Sequence, residues 1–329
     1  MTGRIEAALP YWLDRPDDEA LRIARAAHET GIGSLWIGEM ATFDAFALAT
    51  AIGLANPGLR LKLGPLPFSV RGPAGLAFGA ASVAALTGSP VDIALGASSP
   101  VMVTGWHDRD WTDAPRRMRE TIECLRPMLR GERADYDGML VHSHGFRLRQ
   151  PLPDARIGMG VFGPAMTRLA AGLADDIVLN LATPERVAAL RQQVDEHASA
   201  AGRPRPRLTV WVTVAVEPGE AALRQIAGQL AVYLAPPGYG EMLAELGFAD
   251  LVALARRGVP RRELAAAVPA DLITRLGAVG SARQVTARLG AYLRAGADTV
   301  AVVPSTADDP DGRTALQTAF ASTEQESAS

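Results

Sequence analysis

Short apolar runs alternate with longer helical patterns from one end of the chain to the other, and this rhythm constrains the fold more than any other feature of the sequence. Runs at 5–9, 34–38, 61–68, 91–95, 156–161, 176–181, 208–216 and 298–303 read as strands. Helical patterns at 17–30, 43–54, 74–86, 113–129, 164–173, 184–201, 220–233, 281–295 and 311–320 lie between and after them. Strands separated by helices of this length predict a parallel sheet. Eight of them within one chain predict a (β/α)8 TIM barrel, an α/β fold, rather than a doubly wound sheet. No Gly-x-Gly-x-x-Gly follows the first strand, which argues against a dinucleotide-binding domain. Two stretches break the rhythm. Around 131–150, Asp137-Gly138 sits between extended runs and predicts a β-hairpin inserted after the fourth unit. Around 234–278, after the seventh strand, two or three short helical segments are expected as a second insertion. The reading is one domain, 1–322, with a disordered tail at 323–329.

The composition, 48% hydrophobic and 21% charged over 329 residues, is that of a globular protein and excludes disorder. A formal charge of −3 gives no footprint for nucleic acid. No apolar run is long enough to span a bilayer, and the first residues lack a signal-peptide core, so the expectation is a soluble, cytoplasmic protein without membrane contact. Cys124 is the only cysteine, which excludes an intramolecular disulfide and a paired-thiolate zinc site. Lys62 is the only lysine. A P-loop and lysine Schiff-base chemistry are thereby disfavoured, since Lys62 begins the third strand, the end of a barrel that rarely carries chemistry.

Residues just past the strand C-termini converge on one mouth. Here they are Pro10, Trp12, Glu39, Met40, Leu66, Pro67, Ser69, Ser98, Ser99, Phe162, Gly163, Asn180, Thr183 and Pro304. Glu39 is the sole carboxylate among them, so a paired-carboxylate glycosidase has little support. No metal site is expected. His28 and His197 fall on peripheral helices, and His142 and His144 share a hairpin face without an evident carboxylate nearby. His107 differs, standing in the long loop above the mouth. Few charges and much apolar surface suit a flat ligand that brings its own reactivity. Gly163-Pro164 reads either as a phosphate-holding turn at a helix N-terminus or as an ordinary turn. Two prolines at the end of the third strand, in Leu63-Gly64-Pro65-Leu66-Pro67-Phe68, mark a bulge or a cis bond under a planar ring, or a plain terminator.

Taken together, Gly33 to Glu39, Leu61 to Phe68 with Arg71-Gly72-Pro73, Gly96-Ala97-Ser98-Ser99-Pro100 with Trp106-His107, Arg147-Leu148 with Pro151-Leu152-Pro153, and Gly163-Pro164 with Ala174-Asp175 are similar to segments of a known family. In their order and spacing the sequence resembles the bacterial luciferase-like superfamily, and within it the oxidoreductases that use the deazaflavin coenzyme F420. The resemblance implies a homodimer and a cofactor ring resting near Pro65, Leu66 and Pro67, often on a non-prolyl cis peptide, with Ser98 and Ser99 beside it. It implies a phosphate site around Phe162 and Gly163, with Asn180, Thr183 and Arg275 as supporting side chains. The chain departs from the family where Glu39-Met40 replaces Asp-His after the second strand and Ser99 replaces a glutamate after the fourth. The lysines that bind sugar phosphates are absent, which puts that substrate class in doubt.

The expected function is hydride transfer between F420 and a small organic substrate, with Glu39 and His107 as the catalytic candidates. Each has a plainer alternative: Glu39 as a hydrogen bond fixing a loop, His107 as packing beside Trp106. The other readings are a flavin mononucleotide (FMN) monooxygenase on the same fold and a non-catalytic cofactor-binding protein.

Overall fold

The computed structural model describes residues 4–39 and 41–327. In chain order, β1 (Ile5–Ala8), α1 (Glu19–Thr30), β2 (Ser34–Ile37), α2 (Ala45–Ala55), β3 (Arg60–Pro67), α3 (Pro73–Thr87) and β4 (Val91–Gly96) form the first half. A π-helical turn, Val101–Trp106, leads to α4 (Ala114–Leu129) and a hairpin of β5 (Asp135–Asp137) and β6 (His142–His144). The second half holds β7 (Ile157–Gly160), α5 (Gly163–Leu173), β8 (Asp176–Asn180), α6 (Pro184–Ala200), β9 (Arg207–Val216) and α7 (Glu220–Tyr233). After it come α8 (Tyr239–Leu243), a second π turn, α9 (Ala249–Arg256), α10 (Arg261–Ala267), α11 (Ala270–Leu276) and β10 (Ala278–Gly280). The chain ends with α12 (Ala282–Arg294), β11 (Thr299–Pro304) and α13 (Arg313–Ser327). Helix α13 covers most of the expected tail, whose residues 328–329 lie outside the described residues.

Nine strands form one sheet in which β10 only extends β9. The others are parallel, and the β8–β9 and β1–β11 pairings close them into an eight-stranded barrel. Period-two patterning explains how each strand serves two cores. In β9, Leu208, Val210, Val212 and Val214 are fully buried against the outer helices, while Trp211 and Ala215 join the inner cluster. That inner cluster also contains Trp36, Ala94, Val178 and Ala301 and continues into Leu230, Leu243 and Leu272 of the region after β9. The second insertion is therefore the roof of the barrel interior, with four helices where two or three segments were expected.

The hairpin lies where Asp137-Gly138 predicts it, and Gly138 N–H donates to the Val141 carbonyl at 2.9 Å across Met139-Leu140. Glu120 of α4 fastens it, accepting from the backbone amides of Met139, Leu140 and Val141 at 3.1, 2.7 and 3.0 Å. His142 and His144 do have carboxylate neighbours, contrary to the sequence reading. Cross-strand register sets Asp137 against His142 at 2.7 Å and Asp135 against His144 at 2.9 Å.

Strand β3 is bent as its prolines imply. Its register on β4 shifts between Leu63 and Leu66, and the Gly64–Pro65 peptide, not a non-prolyl one, is cis. Gly64 has φ +124°, and a side chain there would meet the Ala94 carbonyl at 2.2 Å, so only glycine fits.

Candidate active site

Lys62, near the N-terminal end of β3 as its place in the sequence implies, turns its side chain into the barrel interior. Its Nζ donates to Glu6 Oε1 at 2.6 Å, and the other oxygen of Glu6 accepts from Trp36 Nε1 at 2.6 Å. Trp36 meets Trp211 edge-on, with ring centroids 5.8 Å apart. The floor beneath the mouth is thus a buried ion pair held against Trp36. Nearby, Asp176 is buried and its carboxyl is pushed above the ordinary range by burial, against the pull of Lys62, Arg207 and Arg156.

Above this floor, small residues on adjacent strands make room for the bent edge of β3. Pro65 rests across Gly96 of β4 and Gly160 of β7, where a Cβ would approach its ring atoms to 3.0 and 3.6 Å. Leu66 points the other way, wholly buried among the outer helices. Pro67 begins the turn that carries Arg71, accepting from the amides of Val70 and Arg71 at 3.0 and 3.3 Å. Of the three residues expected beneath a ring, Pro65 alone faces the mouth.

Glu39 is held by Arg71, whose Nε donates to Oε2 at 3.2 Å while its Nη2 contacts both Glu39 Oε1 and Asp44. Arg71 also lies over Phe46, 4.9 Å from the ring centroid. The carboxylate is therefore fixed in place by a cation that the sequence reading left without a role; Met40 lies outside the described residues. His107 closes the π-helical turn and is exposed, donating its backbone N–H to the Thr104 carbonyl. The structure does not bring Glu39 and His107 into contact.

Ser98 has φ +59° and its hydroxyl turns to Met102 Sδ at 3.2 Å. Ser99 anchors the π turn through its carbonyl, which accepts from Val103 at 2.9 Å. Just past β7, Phe162 precedes α5, whose first turn receives no side-chain cap, and Gly163 has φ +72° with open space beside it. Uncapped amides at a helix N-terminus are suited to an anion.

An aromatic clamp that the sequence reading missed ties the roof to this side. Tyr239 packs edge-on to Phe162 at 4.3 Å and against Tyr233 at 4.6 Å. Asn180 donates to the Tyr239 hydroxyl at 3.2 Å, and burial pushes both tyrosine phenols upward. Asn180 thus holds the roof. Thr183 caps α6 by accepting from Arg186 N–H at 3.3 Å. Arg275 donates to the Leu246 carbonyl at 2.8 Å and braces the roof from its exposed side. Among the described residues, no cluster of three His, Cys, Asp or Glu side chains could hold a metal, and no helix is long and apolar enough to cross a membrane.

Comparison with known proteins places this geometry. The sequence profile of the family described as luciferase-like monooxygenase matches residues 9–299. A 5,10-methylenetetrahydromethanopterin reductase of Methanolobus tindarius is 24% identical over 236 residues, which span 70% of this chain and 72% of that protein. In fold, the chain is similar to the coenzyme F420-dependent tetrahydromethanopterin reductase of Methanopyrus kandleri, with a TM-score of 0.82, 18% identity and coverage of 97% and 98% of the two chains. It is also similar to the FMN-bound oxygenating constituent of 3,6-diketocamphane monooxygenase from Pseudomonas putida, with a TM-score of 0.68, 16% identity and 97% coverage of each chain.

Proposed function

The chain belongs to the luciferase-like monooxygenase family, and from that premise we propose that it is an oxidoreductase that takes coenzyme F420 and exchanges a hydride with a small organic substrate. The observation that carries this reading is the bent third strand. Pro65, seated over two glycines, offers a flat apolar shelf at the mouth, and Gly163 with the uncapped start of α5, just past the second of those glycines, offers an anion site. A ring at one place and a phosphate at the other are what a deazaflavin requires of its host.

When bound, the cofactor supplies the hydride. The protein's own part is orientation, exclusion of water and control of protons. The shelf fixes the ring plane, the Tyr239–Phe162 clamp closes the roof side, and Arg71 keeps the Glu39 carboxylate aimed along the rim. His107, exposed beside the π turn, is the proton carrier of the pair named from sequence.

The FMN monooxygenase reading is favoured by the likeness to an FMN-bound oxygenase. Titrating the purified protein with F420 and with FMN, each followed by fluorescence quenching, separates the two. Saturable binding of F420 supports the proposal. Tight FMN binding with no response to F420 replaces it with the alternative.

We infer also that two copies pair through α2 and α3. Neither helix carries a charge, and each leaves an apolar stripe outward: Ala47, Ala51 and Leu54 on α2, Gly75, Phe78, Ala85 and Leu86 on α3. Leu54, Phe78 and Leu86 are 62%, 64% and 64% exposed, which is unusual for large apolar residues of a solvated helix. The same surface supplies both bulky ridges and small hollows, as a two-fold contact between identical faces requires.

A further inference from the structure

Tyr11 follows β1 at the mouth, and its hydroxyl is buried with no acceptor for its O–H. Gly38 makes room for it, since a Cβ there would stand 3.0 Å from Tyr11 Oη. The groups that face the phenol are the Gly38 backbone, Glu39 and Tyr233. Neither oxygen of Glu39 accepts from it, and Arg71 engages both. Burial, with the negative charge of Glu39 adding to it, holds the phenol firmly protonated. It is a donor in search of an acceptor.

A second orphan stands in the same barrel. The Nε1 of Trp211 is buried and unpartnered, although its ring abuts Trp36 and its backbone pairs in register with Asn180 at the mouth. The other interior indoles are satisfied: Trp12 donates to the Pro304 carbonyl at 3.0 Å and Trp36 to Glu6 at 2.6 Å. A buried donor left unmade is costly.

We propose that the Tyr11 hydroxyl donates a hydrogen bond to a ring carbonyl oxygen of the bound planar cofactor. This rests on the functional reading above. Depth selects the ring, because a hydroxyl buried against Gly38 lies below any group that stops at the rim. Charge selects a neutral carbonyl over a phosphate, because Glu39 stands beside the site and repels anions. Position agrees, since Gly38 follows β2 and β2 is the neighbour of β3, whose bend carries the shelf.

Tyr11→Phe tests this with the shape of the ring preserved. Whichever of F420 and FMN the wild type binds, the variant is expected to bind about tenfold more weakly, as for one lost neutral hydrogen bond. Its melting temperature is expected to stay level or rise, because an unpaired buried donor has gone. The visible absorption band of the bound cofactor should also shift toward its position in free solution. A merely structural tyrosine would instead lower the melting temperature and leave the band of the bound form in place. Unchanged affinity and an unmoved band in Tyr11→Phe overturn this inference alone. Binding of neither cofactor by the wild type overturns the functional reading, and this inference with it.

Discussion

Lys62 shows how much a single residue's surroundings decide. Inside the barrel it is neither a nucleophile nor a surface charge but half of a buried pair with Glu6, and removing one partner leaves the other charge uncompensated. Lys62→Ala should lower the unfolding free energy by roughly 3–5 kcal/mol, whereas Lys62→Met combined with Glu6→Gln should recover much of the loss, both measured by denaturant unfolding. Asp176 makes the opposite case. Its carboxyl is pushed up by burial, so the folded state favours its protonated form. Its stabilising contribution is complete below the ordinary carboxylate range and is lost as pH rises through the raised value. Asp176→Asn lacks that loss, and its melting temperature should gain on the wild type steadily as pH rises from acid to neutral. Residue-level legibility was uneven. Glu39 was identifiable as the lone mouth carboxylate, but Arg71, which fixes it, comes from the next unit. Tyr11 was passed over between Pro10 and Trp12, because a period-two reading of the chain does not reveal which side chain turns inward once a strand has ended.

At the scale of elements, the hairpin depends on a helix it does not touch in sequence. Burial alone would raise the Glu120 carboxyl, but the three loop amides that donate to it bring it below its usual range. That contribution is present at neutral pH and disappears as pH falls through the lowered value. Glu120→Ala should cost roughly 2–3 kcal/mol at pH 7, and the difference from wild type should shrink in acid, read by thermal melts across pH. Strand and helix positions were readable wherever local pattern and tertiary need agree. Ser281 caps α12 with Gln284 completing the capping box, and Gly31 ends α1 at φ +91°, each at a limit of the helical pattern the sequence shows. The bend in β3 was equally legible, because proline cannot continue a parallel ladder. The roof was not. Its helices are short, and the contacts that order them, Tyr239 to Phe162 and Asn180 to Tyr239, link residues far apart in the chain.

The whole molecule is a closed barrel whose charge-free α2 and α3 stand on its outside, facing solvent. Pairing through them predicts a dimer in sedimentation equilibrium and a monomer, still folded by circular dichroism, for the double variant Phe78→Glu with Leu86→Glu. A dimer that survives both substitutions would place the contact elsewhere. The central claim is that the bent edge of β3 forms a shelf for a planar redox ring, and it rests on Gly96 leaving Pro65 its place. The most direct test is the affinity of Gly96→Val for F420 and FMN beside that of the wild type, both checked for an intact fold. Saturable binding by the wild type that falls at least tenfold in a folded Gly96→Val is the predicted result. Equal affinity in the two proteins, or no binding of either cofactor by the wild type, would contradict it.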